Sequence, residues 1–133
     1  MHVLSARVLL QPFDFAASLS FYEHALGLVR SREFGAPGHR GVVFFLGGAE
    51  LEITETPAGA DSGPRPAGVR LWLRVADARA AQQEAAAGGA TVLDPVAQRP
   101  WGLHEGSIAD PDGLELVLVE VPADHPLRRD PRT

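Results

Sequence analysis

The sequence predicts an α+β domain made of two β-α-β-β-β modules in tandem, and three observations carry that prediction. The order of local signals occurs twice, with Asp77 following Asp14, and Arg70 following Arg7, by the same 63 positions. Apolar or small residues run at helical spacing after each of these aspartates. Elsewhere apolar and polar residues alternate with the two-residue period of a strand that buries one face. The 133 residues, read as a single domain over 1–133, are enough for one ordinary core without a staple.

The first module covers residues 4–55. It opens with the apolar strand Arg7-Val8-Leu9-Leu10. Asp14 then caps a helix whose Phe15, Leu19, Tyr22 and Leu26 share one face, and Gly27 suits the left-handed position that ends it. A strand pair closes in Gly48-Ala49-Glu50-Leu51-Glu52-Ile53. Leu51 and Ile53 should meet the helix, leaving Glu50, Glu52 and Thr54 on the other face. The glycines from Gly35 to Gly41, and Gly47-Gly48, read as hairpin turns. Residues 56–67 are a Pro/Gly-rich connector.

The second module covers residues 68–121. In Arg70-Leu71-Trp72-Leu73-Arg74-Val75 the row Leu71, Leu73 and Val75 should face the helices, so Arg70, Trp72 and Arg74 look away. Asp77 opens a helix that is mostly alanine through Ala87, small enough to lie close against its sheet, before Gly88-Gly89. In the closing strand, Leu114, Leu116 and Leu118 leave Glu115, Val117 and Val119 opposed. Asp110-Pro111-Asp112-Gly113 reads as a β-turn, because the other ligands of a calcium loop are missing at the required spacing. Residues 122–133 are expected to be a solvated tail.

Composition removes whole classes of function. With 45% hydrophobic and 22% charged residues the chain is globular, and no apolar run approaches the ~18 residues of a membrane span. A formal charge of −5 argues against a nucleic-acid partner, whose phosphates need clustered basic residues. Zero cysteines exclude disulfides, thiolate nucleophiles and Cys-based zinc sites, and the missing signal pattern points to a cytoplasmic location. There is no Gly-Lys-Ser/Thr phosphate loop and no Gly-x-Ser-x-Gly elbow.

Three stretches together resemble the vicinal oxygen chelate superfamily of glyoxalase I, bleomycin-resistance proteins, fosfomycin-resistance enzymes and extradiol dioxygenases. They are Ser18-Leu19-Ser20-Phe21-Tyr22 to Leu26-Gly27-Leu28, the strand-Asp-helix opening at 70 to 77, and Arg99-Pro100-Trp101-Gly102 followed by Ala109-Asp110-Pro111-Asp112-Gly113. The resemblance covers residues 4–121. It implies the glyoxalase/bleomycin-resistance fold, a cupped mixed sheet with helices on its outer face, completed in a homodimer. In the enzymes it implies a divalent metal held by His, Gln or Glu, from the first and last strand of each module. Carried over by spacing from Asp14, Asp77, Gly48 and Gly113, those positions are Arg7, Arg70, Glu52 and Val117.

A guanidinium stays protonated and has no acceptor lone pair, and a valine has no donor atom. One carboxylate beside two cations is no metal site, so no metal and no other cofactor is expected. The function expected instead is binding of a small organic molecule, an antibiotic or natural product, by a metal-free protein resembling the bleomycin-resistance members and sequestering its ligand at a dimer-interface cup. Arg7, Gln11, Glu52, Arg70, Trp72, Trp101 and His104 are the candidate ligand-binding residues, and no catalytic residue is assigned. The arginines would offer bidentate donors to an anionic or carbonyl-bearing ligand, and the tryptophans would stack on its flat part. The competing reading pairs Arg7 and Arg70 with Glu50, Glu52 or Glu115 as structural ion pairs. A rival from another class is a metal-dependent isomerase, thiol transferase or dioxygenase with ligands displaced to Glu52, Glu115 and His104. A metal-free enzyme using Glu52 or His104 as a base is a third. His2, His24, His39 and His125 share no metal spacing and receive no role.

Overall fold

Each aspartate that opens a predicted helix caps one. In the computed structural model, which describes residues 1–57 and 68–128, Asp14 has an extended backbone and its carboxylate accepts from the Ala17 amide at 3.0 Å. Asp77 does the same for Ala80 at 2.9 Å. Both satisfy an amide that a helix start leaves orphaned. The chain divides into two compact units, Met1–Pro66 and Ala67–Thr133, one per module. Connector positions 58–67 and tail positions 129–133 lie outside the described residues.

Unit 1 runs β1 (Arg7–Leu10), α1 (Phe15–Ser20), β2 (Arg30–Phe34), β3 (Gly41–Leu46) and β4 (Ala49–Thr54). Its sheet order is β1-β4-β3-β2, with β1 parallel to β4 and the other pairs antiparallel. Leu51 and Ile53 are fully buried with Val42 and Phe44, their partners across β3, and α1 packs on β4 as the alternation requires. Each such side chain contributes roughly 1.5–3 kcal/mol through burial. The predicted single helix is two pieces: α1 gives way to a π-helical turn at Phe21–Ala25, in which the Leu26 amide reaches back to the Phe21 carbonyl at 3.0 Å. Phe21, Tyr22 and Ala25 are buried together on this turn. Gly27 has φ +69°, the left-handed terminator its position predicts. The loop before β3 is held from below by Glu55, whose carboxylate accepts from the Gly38 amide (2.9 Å), the Arg40 amide (3.2 Å) and the Arg40 guanidinium (3.1 Å). Those bonds push the Glu55 pKa down to about 2.

Unit 2 runs β5 (Arg70–Arg74), α2 (Ala78–Ala87), β6 (Thr91–Gln98), β7 (His104–Ala109) and β8 (Glu115–Glu120), and its sheet order β5-β8-β7-β6 repeats that of unit 1. Leu116, Leu118 and Ile108 are buried on the face that α2 covers. Pro95 interrupts β6, whose register slips between Val92 and Asp94 and again between Asp94 and Ala97, across the proline. Gln82 of α2 repairs the damage. Its amide nitrogen donates to the Asp94 carbonyl (2.8 Å) and the Ser107 carbonyl (3.3 Å), and its oxygen accepts from the Val96 amide (3.0 Å). The bulged strand comes so close to Gly106 that a Cβ there would lie 2.7 Å from backbone atoms of Asp94 and Val96.

Two features go beyond what the alternation and composition set. Val119 was expected on the mixed face beside Glu115, yet it is fully buried, because Leu103 and Val121 close over that end of β8 as a second small core. The start of the predicted solvated tail is tied down: Arg128 Nε donates to the Val121 carbonyl at 2.8 Å, and the His125 ring bonds the Trp101 carbonyl at 2.9 Å. The Asp110 turn forms as expected, its carboxylate accepting from the Asp112 and Leu114 amides.

Candidate ligand-binding site

In unit 1 the parallel register sets Arg7 opposite Glu50, so Arg7, Glu50 and Glu52 rise from the sheet face away from α1. Arg7 Nη2 donates to Glu50 Oε1 and Nη1 to Glu52 Oε1, each at 3.0 Å. The hydrogen bond to Glu50, then that to Glu52, raises the Arg7 pKa above its ordinary value. The guanidinium thus engages one oxygen of each carboxylate and sets a fixed positive charge between them, which repels a second cation. A divalent ion does not fit this pair of positions.

Unit 2 repeats the register with a different outcome. Arg70 stands opposite Glu115, but Arg70 Nε and Glu115 Oε2 are 3.9 Å apart, beyond hydrogen-bond reach. Where unit 1 has Glu52, unit 2 has Val117. With one distant carboxylate, the Arg70 side chain is 63% exposed, against 34% for Arg7. Arg70 and Val117 likewise offer a metal no ligand. Among the described residues no group of three His, Cys, Asp or Glu has metal-holding geometry.

Arg70, Glu115 and Val117 form one wall of a cleft of about 350 Å³; Asp94, Arg99, Trp101, Glu105 and Ser107 complete it. Arg99 is anchored through Nη2, which bonds Asp94 Oδ2 (2.7 Å) and the carbonyls of Glu105 (3.0 Å) and Pro95 (3.4 Å). Trp101 Nε1 donates to Glu105 Oε1 at 2.9 Å, which orients the indole and leaves it 57% exposed. Behind it, Leu127 N–H donates to His125 Nδ1 (3.2 Å), so the proton on the other ring nitrogen points at the Trp101 carbonyl. Ser107 is 4% exposed, and among the described residues its hydroxyl has no hydrogen-bond partner. A buried hydroxyl without a partner on the wall of a cleft is a place where a ligand or water completes the bonding.

Of the residues singled out in the sequence, the structure brings together Arg70 and Trp101. Trp72 shares their sheet face, opposite Val117 and 53% exposed, without lining the cleft. Arg7 and Glu52 are bonded to one another in unit 1, and Gln11 is exposed just past β1. His104 is a correction. It begins β7 paired with Glu120, on the α2 side of the sheet with Gly106 and Ile108, opposite to Glu105 and Ser107. The cleft residues not singled out are Glu105, Ser107, Asp94, Arg99 and Gly106, although alternation around Ile108 sets the first two opposite the core.

A tandem pair of such units, each with one face of a mixed sheet packed under a helix, defines an α+β class of proteins whose free sheet face carries the site. The sequence model of the Glyoxalase/Bleomycin resistance protein/Dioxygenase superfamily matches residues 4–118, and the chain belongs to that superfamily. The solved structure of SMU.1112c is 29% identical, with a TM-score of 0.72 over 89% of this chain and 98% of that one. A superfamily member from Sphaerobacter thermophilus is 24% identical, with a TM-score of 0.70 over 90% of this chain and 98% of that one. A glyoxalase I mutant from Zea mays is 21% identical, with a TM-score of 0.68 over 86% of this chain and 46% of that one. A search of curated protein sequences finds no match.

Proposed function

We propose that this protein binds a small organic molecule without a metal, an antibiotic or natural product that it sequesters, and that the cleft of unit 2 contributes the binding groups. One observation carries the reading: the two superfamily metal positions of each unit hold Arg7 with Glu52 and Arg70 with Val117, and Arg70 stands largely exposed beside a cleft that also presents an indole. An exposed guanidinium and a rigid aromatic side chain are effective small-molecule contacts, because both are lightly penalised in entropy for the area and bonds they provide. Glu52 does not support the rival reading of a free general base, since its carboxylate already accepts from Arg7. The superfamily resemblance extends the proposal to a homodimer, which light scattering would test, and the proposed location is cytoplasmic. No helix among the described residues is long and apolar enough to cross a membrane.

The test is Trp101→Ala. Binding lost with an unchanged thermal midpoint supports sequestration at this cleft; binding retained contradicts it. A turnover activity abolished by Glu52→Gln would replace the proposal with an enzyme.

A further inference from the structure

We propose that the cleft of unit 2 selects a neutral planar molecule whose edge carries a carbonyl oxygen beside an N–H or O–H, as in an aryl carboxamide, a lactam or an ortho-hydroxy carbonyl compound. The inference rests on the reading of this cleft as a binding site and adds the class of ligand.

It follows from which polar groups are already used. Two arginines and three carboxylates line the cleft, a net charge of one negative. Arg99 and Asp94 form an ion pair through Nη2, which also donates to the Glu105 carbonyl. Glu105 is oriented by the indole N–H, which its Oε1 accepts. Arg70 and Glu115 remain, 3.9 Å apart and unbonded, a donor beside an acceptor. The complement of that pair is an acceptor beside a donor on one rigid edge. A ligand carboxylate would satisfy Arg70 but stand against Glu115, while an ammonium would satisfy Glu115 but stand against Arg70. A neutral amide edge answers both groups and adds no like charge beside either. The buried Ser107 hydroxyl, in the strand next to Glu115 and Val117, can donate to the same carbonyl. The exposed Trp101 ring supplies the face on which the planar part stacks.

The experiment compares 2-naphthamide, 2-naphthoate and 2-naphthylmethylammonium, one ring carrying three charges, by calorimetric titration at pH 7, with the Trp101 indole N–H resonance as the marker of place. The amide is expected to bind about tenfold tighter than either ion, the factor that one unpaired polar group costs. Ser107→Ala should weaken the amide by about fivefold. Glu115→Gln, a half-exposed position where folding is safe, should let the naphthoate overtake the amide. An ion that binds as tightly as the amide, or a Ser107→Ala variant with unchanged amide affinity, overturns the ligand class while the cleft stands as a binding site. No response of the Trp101 resonance to any of the three at millimolar concentration overturns the class and the binding reading together.

Discussion

Units 1 and 2 share a floor and differ on the face above it. In both, a first strand pairs in parallel with the last, and the central leucine of that last strand, Leu51 or Leu116, is fully buried under a helix. Above this common base, Arg7 is locked between two carboxylates, whereas Arg70 has one, too far away to bond. Two differences, glutamate at 52 against valine at 117 and a bonded Glu50 against a distant Glu115, separate a closed ion-pair cluster from an open guanidinium. The same backbone register can therefore fill a site with its own side chains or leave it available for a ligand.

The largest expected effect concerns the floor. Leu51→Ala and Leu116→Ala should each cost about 2–5 kcal/mol in chemical denaturation, because each removes a fully buried side chain from the equivalent place. A clearly unequal pair of losses would break the equivalence of the two bases. Next come the arginines. Arg70→Ala should weaken 2-naphthamide by about tenfold or more at an unchanged thermal midpoint, since the lost bond is charge-assisted and the side chain has no bonded partner in the unliganded protein. Arg7→Ala should do the reverse, leaving the affinity alone and lowering the midpoint, because Glu50 and Glu52 are left facing each other without their cation. Val117→Glu sharpens the contrast by giving unit 2 the second carboxylate of unit 1; it should close around Arg70 and reduce the amide affinity by about fivefold.

The smallest effect is one of pH and belongs to unit 1 alone. The Arg40 guanidinium and two backbone amides hold the Glu55 pKa at about 2, below the usual 4.5. A depressed carboxyl pKa stabilises the fold fully above about 4.5 and loses that contribution as pH falls towards 2. The gap in thermal midpoint between the native protein and Glu55→Gln should therefore be constant from neutrality to pH 5 and shrink towards pH 2. A gap that persists at pH 2 would mean that the carboxylate charge is not what holds the loop.

Much of this was legible in the residues. Two aspartates at one repeat distance marked both helix starts, and alternation in Leu71-Trp72-Leu73 and Leu51-Glu52-Ile53 set which side chains leave the core. That is why Arg7 and Arg70 fall on the free sheet faces. What escaped had non-local causes. Val119 obeys the alternation and is buried all the same, because Leu103 arrives from a loop whose path no period encodes. His104 followed a resemblance to the mouth of the site, when one position of strand parity sends it to the helix side. Gln82 looked like a polar residue in an alanine helix; its role exists only because Pro95, in another element, leaves the β6 ladder incomplete. Ser107 gave no signal except its phase against Ile108.

The guanidinium-for-metal exchange is tested most directly by titrating 2-naphthamide before and after exhaustive chelation, with the metal content of the same sample measured by mass spectrometry. If arginines have replaced the ion, metal is substoichiometric and the two isotherms superimpose. One divalent ion per chain, with affinity lost on chelation and restored by added zinc, nickel or manganese, would contradict it.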